Sequence, residues 1–139
     1  RRSPKAVFAA GAGTATVEAM ARFARGADGR RLGSYGCSIL SALTSEIVAS
    51  RDEVRDAGGA AAVIAALSLL PAEASTQAEG CEALWNLCTG TRVGKEAVVD
   101  AGGLTVCLEA LRAHPEGAEV QEAGCGFLVS LAHGWLEGQ

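Results

Sequence analysis

Apolar residues along this 139-residue chain return in three copies of one ladder, each opened by the pair Gly-Cys and separated by 44 residues. A fixed period of this length is typical of solenoid proteins, in which each unit buries its apolar face against a neighbour. The pattern therefore predicts stacked units and a surface that binds other proteins. The three copies are Cys37/Leu40/Leu43, Cys81/Leu84/Leu87 and Cys125/Leu128/Leu131.

Other positions keep the same step. The segment Val54–Gly59 returns 44 residues later as Val98–Gly103. In the first unit the step is longer, because Val17 precedes its equivalent Ile64 by 47 residues. We therefore expect three additional residues in the first unit, placed in the loop 26–29.

Within each unit, apolar residues recur at three- and four-residue steps, which is the spacing of one helical face. Gly and Pro end these runs, because Gly readily adopts the left-handed conformation and Pro removes a backbone donor. An alternating strand pattern is missing. The sequence therefore predicts an all-α fold of about nine helices in three layers. The bounded helices are 5–10, 48–57, 60–70, 72–89, 104–113 and 116–132, with a two-turn helix before Ala101.

The whole chain, 1–139, is predicted to be a single domain. Its units are about 5–45, 46–90 and 91–134, and residues 135–139 match the start of a further first helix. This pattern predicts a fragment of a longer array, or an end that another subunit covers.

The three-helix unit and its junctions resemble the armadillo repeat family. Val98–Leu104 resembles the family's VVDAGGL junction, and Val120–Cys125 resembles its VQEAGC entry to the third helix. Glu82–Leu87 is similar to the ALWNL stretch of catenin-like members. The resemblance implies a right-handed α-solenoid of about three repeats.

Armadillo arrays bind extended peptides on a concave face lined by the third helices, where an Asn amide pairs with the ligand backbone. By register Asn86 holds that position, whereas its equivalents are Ala42 and Ser130. The family's Trp positions are changed as well; they hold Ser38, Glu82 and Gly126. These departures argue against importin-like recognition of basic signals.

Trp85 is rotated from the core line toward the flank that carries Glu82 and Asn86. An exposed Trp beside polar groups is typical of an interface anchor, and a Trp packed against the neighbouring unit is the alternative. The predicted partner-binding face takes an extended segment or a helix, and Glu116, Glu119 and Glu122 are expected to form a solvated helix face. The residues of the predicted partner-binding face are Ser41, Glu82, Trp85, Asn86, Val129, Ser130 and His133.

Charge and hydropathy narrow the partners to proteins or peptides. The formal net charge is −4, so the basic footprint that nucleic-acid binding requires is missing. The longest apolar stretch, 60–70, is about half of the roughly 20 residues that a membrane span needs. We expect neither a nucleic-acid ligand nor a membrane span.

Five cysteines are present, and three of them hold equivalent apolar positions. Free buried cysteines behave as small hydrophobes and persist in reducing compartments. The sequence thus predicts core cysteines and a cytoplasmic or nuclear location, with an organelle reached after removal of a transit segment as an open alternative.

The sequence contains no complete catalytic or metal-binding motif. The segment Gly90–Glu96 is one residue short of a phosphate-binding loop and lacks its hydroxyl residue. Neither a triad nor a metal-ligand spacing accompanies the cysteines. The prediction is a non-catalytic interaction module without cofactor or metal. The alternatives are a structural subunit of a larger assembly and, less favoured, a helical enzyme domain.

Overall fold

The structure is a computed structural model that describes residues 3–135. These residues form eight α-helices and contain no strand, so the all-α prediction is confirmed for this part of the chain. The helices are α1 (Pro4–Arg22), α2 (Gly29–Glu46), α3 (Ser50–Asp56), α4 (Gly59–Leu69), α5 (Ala74–Cys88), α6 (Arg92–Asp100), α7 (Gly103–Ala113) and α8 (Ala118–Trp135).

The predicted number of nine helices differs from the eight observed because α1 includes the first two of them. The backbone of α1 is non-helical at Ala10 and Gly11, where Gly11 has φ 94°. Gly58 and Gly102 have φ 93° and 100° just before α4 and α7. Only Gly adopts such angles without steric cost. The same left-handed turn therefore marks each junction, and in α1 it leaves a bend instead of a gap.

The helix ends agree with the predicted ones to within a few residues, except at the end of α8. The sequence predicts that this helix ends at residue 132 before Gly134, whereas α8 continues to Trp135. A glycine inside a helix costs only about 1 kcal/mol and does not by itself terminate it. Of the predicted further helix, Trp135 belongs to α8 and 136–139 lie outside the described residues. The first connection, residues 23–28, is longer than 70–73 and 114–117 by two residues and not by the predicted three, because α2 begins one residue earlier in the repeat than α5 does.

Equivalent helices contact one another in chain order. The helix α5 packs against both α2 and α8, and α4 contacts both α1 and α7. The short helix α3 contacts α6 in the same way. Within the described residues α2 and α8 make no extensive contact with each other. The third helix of each unit therefore lies beside its equivalent in the next.

The repeated glycine of the Gly-Cys pair allows the second and third helices of a unit to approach closely. A Cβ atom placed on Gly124 would lie 2.6 Å from Leu111 Cδ2. At Gly36 and Gly80 a Cβ atom would collide in the same way with Met20 and Leu67. Contacts this short do not occur, so a Cβ atom at any of these positions would force the facing Met or Leu side chain of the second helix to shift.

The cysteine that follows this glycine is buried in two units out of three. Cys37 and Cys81 are fully buried, as are Cys88 and Cys107. Cys125 is exposed, so the prediction of a buried cysteine is wrong there. The physical reason is position: α8 is the last described helix, and no described element covers this side of it.

Side chains from one helix cap the carbonyl end of another with the same period. Gln77 Nε2 donates to the carbonyls of Leu67 and Leu70, both at 2.9 Å. Gln121 Nε2 donates at 2.9 Å to the carbonyls one period later. These bonds satisfy carbonyl groups that a helix leaves unpaired at its C-terminus. Gly33 holds the equivalent place in the first unit.

Two cations act similarly on the third helices. Arg51 Nε donates to the carbonyl of Thr44 at 2.8 Å, and Lys95 Nζ donates to the carbonyl of Cys88 at 3.1 Å. A positive charge at a helix C-terminus also complements the helix dipole. These contacts fix the first helix of one unit beside the C-terminal end of the preceding third helix.

No helix among residues 3–135 is both long and apolar enough to traverse a bilayer.

Candidate functional site: a groove across three helices

A groove of about 420 Å³ crosses α2, α5 and α8. All three helices contribute side chains to it, so the groove follows the row of third helices instead of lying within one unit. Polar and small side chains dominate its walls. The lining residues are Ser38, Ser41, Ala42, Ser45, Glu46, Ala78, Glu79, Glu82, Trp85, Glu119, Glu122 and Ala123.

Two serine–glutamate pairs join α2 to α5 along the groove. The buried Ser41 donates through Oγ to Glu82 Oε1 at 2.8 Å. One turn earlier, Ser38 Oγ donates to Glu79 Oε2 at 3.2 Å. A carboxylate accepts several hydrogen bonds, so each glutamate is oriented by its serine and retains capacity to accept from a ligand.

Trp85 is half-buried and packs against α8. A Cβ atom on Gly126 would lie 2.5 Å from Cζ3 of the indole ring, so only Gly leaves room for the ring. The same ring lines the groove. The two alternatives for Trp85, a partner anchor and a contact between units, are therefore compatible in this geometry.

Asn86 is half-buried and does not line the groove. Its Nδ2 donates to Thr44 Oγ1 at 3.1 Å, and Thr44 Oγ1 in turn donates to the carbonyl of Leu40 at 2.6 Å. Thr44 is fully buried. The Asn86 amide thus ties α5 to the preceding third helix, which accounts for a polar residue at this position without any ligand.

The predicted residues of α8 lie outside the groove. Val129 is 55% exposed, and Ser130 Oγ lies 3.3 Å from Oγ1 of Thr89, the residue that follows α5. His133 is exposed in the last turn of α8. Of the seven predicted residues, the structure therefore brings Ser41, Glu82 and Trp85 together in the groove.

Several lining residues were not predicted as part of the site. Glu79 lies one helical turn before Glu82, so the three-residue step on α5 could have indicated it. Glu119 and Glu122, expected on a solvated face, are exposed and line the groove. Glu46 gave no signal, because its place in the groove depends on how α2 packs against α5.

Negative charge dominates the lining. Five glutamates come from the three helices, and the lining set contains no Lys, Arg or His. The field reaches the core: burial, and then the charge of Glu79, raises the pKa of the Cys37 thiol to about 12. The groove is thus a surface of carboxylate and hydroxyl acceptors with one indole.

The described residues contain no group of three His, Cys, Asp or Glu side chains that could hold a metal ion. The groove carboxylates are spread along the three helices instead of converging on one point. Ion pairing, hydrogen-bond acceptance and stacking are the interactions that this arrangement offers.

Comparison with family models, with curated proteins and with solved structures found no significant match to this chain.

Proposed function

We propose that this chain is a non-catalytic protein-interaction module of the armadillo type, which binds an extended segment of a partner protein in the groove. The observation that carries the proposal is the groove itself, which crosses three equivalent helices and is lined from each of them. A ligand that contacts all three must be elongated, because packed helices lie about 8–10 Å apart.

An extended peptide fits these dimensions. Crossing three helices requires roughly 20 Å, which about six residues of extended chain span. Carboxylate and hydroxyl oxygens accept hydrogen bonds from backbone N–H groups. The half-buried Trp85 supplies a rigid aromatic surface, and aromatic residues are enriched among those that dominate binding energy.

The armadillo-type assignment and its right-handed α-solenoid are part of this proposal. Their support is the 44-residue step, which recurs in three kinds of contact: the glycine beneath the second helix, the glutamine cap and the cation cap. Four buried free cysteines agree with a reducing compartment, so we place the protein in the cytoplasm or nucleus.

The chemistry of the lining agrees with binding instead of catalysis. Ser38 and Ser41 donate their hydroxyl hydrogens to glutamate carboxylates. A nucleophilic serine requires a stronger base, such as a histidine, and none lines the groove. We therefore assign no reaction to these residues.

The test is a selection of random peptides against the immobilised protein, followed by hydrogen exchange of the complex. Selected peptides should protect amides of α2, α5 and α8. The variant Ala42→Trp, which places a large ring in the groove, should weaken binding at least about tenfold. The matched control Ala65→Trp replaces an exposed alanine of α4 that lies outside the groove lining, and it should bind as the parent protein does.

Protection confined to other helices, or equal binding by the two tryptophan variants, would contradict the groove as the binding surface. Circular dichroism of both variants checks that each remains helical.

A structural subunit of a larger assembly is the second candidate, and the outer side of α2 favours it. Tyr35 and Ile39 are exposed there beside a small cavity of about 220 Å³, lined mainly by apolar residues. Apolar side chains grouped on one surface indicate a covered face in many proteins. If Tyr35→Ser/Ile39→Ser abolishes association with the natural partner while Ala42→Trp does not, this candidate replaces the groove proposal.

A further inference from the structure

We propose that an apolar cavity between α1, α2 and α4 binds a small uncharged molecule that carries an N–H donor at one end. The cavity has a volume of about 320 Å³, and alanine, glycine, valine, leucine and methionine residues alone line it. It shares no lining residue with the groove. The inference therefore goes beyond the proposed function and does not depend on it.

A second cavity lies at the equivalent place one unit later, between α4, α5 and α7, and has a volume of about 500 Å³. Its residues Leu67 and Ala113 correspond to Met20 and Leu69 of the apolar cavity. The same packing between successive units therefore forms both cavities. The later cavity shows which side chains usually occupy this place in the fold.

The two linings differ in polarity. The later cavity contains Gln77 and Glu109, whose equivalents in the apolar cavity are Gly33 and Ala65. The later lining also contains Arg112, whereas the lining of the apolar cavity has no charged or hydroxyl side chain. Removing apolar surface from water is favourable, while a charged group that enters such a site loses its hydration without gaining a partner. The ligand is therefore apolar and uncharged.

The glycine at position 33 explains why the ligand needs a donor. One unit later, Gln77 Nε2 donates to two carbonyls at the end of α4. At the equivalent end of α1, no described side chain donates to the carbonyls of Met20 and Phe23. A ligand that covers these oxygens takes them out of water, which costs free energy unless the ligand supplies a hydrogen-bond donor.

Backbone carbonyls reach the wall of the apolar cavity. A Cβ atom on Gly29 would lie 2.7 Å from the carbonyl oxygen of Phe23 and 2.8 Å from that of Ala24. Gly29 and Ala24 both line the cavity. Acceptors therefore border one end of an otherwise apolar site, which is the arrangement that orients a ligand with one polar group.

The volume sets the size of the ligand. An engineered apolar cavity of about 150 Å³ in another protein holds benzene, so 320 Å³ suits a molecule about twice that size. Known ligand pockets begin at about 300 Å³. A two-ring molecule with an amide group matches both the volume and the donor requirement.

The experiment compares three probes of nearly equal size: 2-naphthamide, 2-acetylnaphthalene, in which a methyl group replaces the amide NH₂, and the anion 2-naphthoate. In a ¹⁵N nuclear magnetic resonance titration, 2-naphthamide should shift amides of α1, α4 and residues 29–33 with saturation, and leave α7 unchanged. The ketone should bind at least about threefold more weakly, because it lacks the donor. The anion should bind at least about tenfold more weakly, because it loses hydration.

Two pairs of variants locate the site. Ala65→Trp places a ring at the exposed edge of the cavity and should weaken 2-naphthamide binding at least about tenfold, whereas Glu109→Trp, at the same place one unit later, should change it less than about twofold. Gly33→Gln introduces the residue that the other two units have and should also remove binding. Its control, Gly33→Ala, adds the Cβ atom without the amide and should retain more affinity.

Equal affinity for 2-naphthamide and its ketone, or absence of saturable binding by all three probes, would overturn the inference. Binding that survives both Ala65→Trp and Gly33→Gln would overturn it as well, as would equal shifts in α7. Groove binding is measured with other ligands, and Ala65→Trp is expected to preserve it. Failure at the cavity and failure at the groove are therefore separate results.

Discussion

Among the third helices of the three units, the central one, α5, packs against another third helix on both sides. The other two, α2 and α8, each pack against a third helix on one side only. The residues Ile39, Ala83 and Phe127 hold equivalent places at the 44-residue step. Ile39 is 38% exposed, while Ala83 and Phe127 are 1% and 0% exposed. The helices that carry the latter two, α5 and α8, each pack against a preceding third helix, and no described helix plays that role for α2.

On the opposite side of the row, the exposed position belongs to the last helix instead of the first. Cys37 and Cys81 are fully buried and Cys125 is exposed, although all three occupy the same position of the ladder. Burial in this fold is therefore a property of the neighbouring unit as much as of the residue. Equivalent substitutions should have unequal effects, and the following predictions use that inequality.

The largest difference is expected between Phe127→Ala and Ile39→Ala. Phe127 is fully buried in the hydrophobic core, so its truncation should lower the free energy of unfolding by about 3–5 kcal/mol. Ile39→Ala removes a partly solvated side chain and should cost below about 1 kcal/mol. Urea denaturation followed by circular dichroism measures both, and equal losses would show that the two sides of the row are packed alike.

A smaller loss, about 1–3 kcal/mol, is expected for Gly80→Ala, because the new Cβ atom would collide with Leu67. Helix propensity alone predicts the opposite sign, since Ala is favoured over Gly in a helix by about 1 kcal/mol. In a Leu67→Ala background the substitution should become neutral or stabilising, as a double-mutant cycle would reveal. Stabilisation by Gly80→Ala in the parent protein would refute the close approach of α4 and α5.

Loss of a glutamine cap should have a still smaller effect. Gln77→Ala removes two hydrogen bonds to carbonyls at the end of α4 and should cost about 1–2 kcal/mol, because Gln77 is buried. Gln121 makes the same bonds but is half-buried, so water replaces them and Gln121→Ala should cost less. Thermal denaturation of the two variants checks the order: Gln77→Ala should lower the melting temperature more than Gln121→Ala does. The reverse order would contradict the account.

Ionisation of the buried cysteine thiols should have almost no effect on stability at neutral pH. Burial raises the pKa of Cys37 and Cys88 to about 12, so both remain protonated in the folded state at pH 7–9. Because the unfolded thiols ionise near pH 9, these groups lower stability only as pH rises from about 9 to 12. Alkylation of the folded protein at pH 8, followed by peptide mass mapping, should modify Cys125 first. Modification of Cys37 at the same rate would contradict its burial.

Much of the fold could be predicted because helical periodicity is local. The bounds of α4 and α7 follow from leucine spacing and from the glycines and proline that flank them. The bend in α1 was harder to predict, since only Ala10 and Gly11 separate one helical run from the next. Cys125 is exposed because no described helix packs on that side of α8. The residues around the cysteine do not determine this packing.

The site was predicted where the helical step on α5, or the 44-residue step from Trp85 to Ser41 on α2, determines it. Glu82 and Trp85 share a flank of that helix, and both line the groove. The interaction between Asn86 and Thr44 joins residues 42 apart and depends on the exact placement of α2 beside α5. The same holds for Trp85 and Gly126, where the absence of a side chain on α8 makes space for the ring. Such pairings arise from packing, which composition and spacing do not specify.

The central claim is that α2, α5 and α8 form an open row. Spin labels at positions 45, 89 and 133, all exposed and one period apart, test it most directly. A Cys125→Ser background removes the exposed native thiol and leaves the four buried ones. With helices about 10 Å apart, the distance from 45 to 133 should be about twice the distance from 45 to 89. Nearly equal distances would mean that α8 folds back onto α2 in a closed bundle, and would contradict the account.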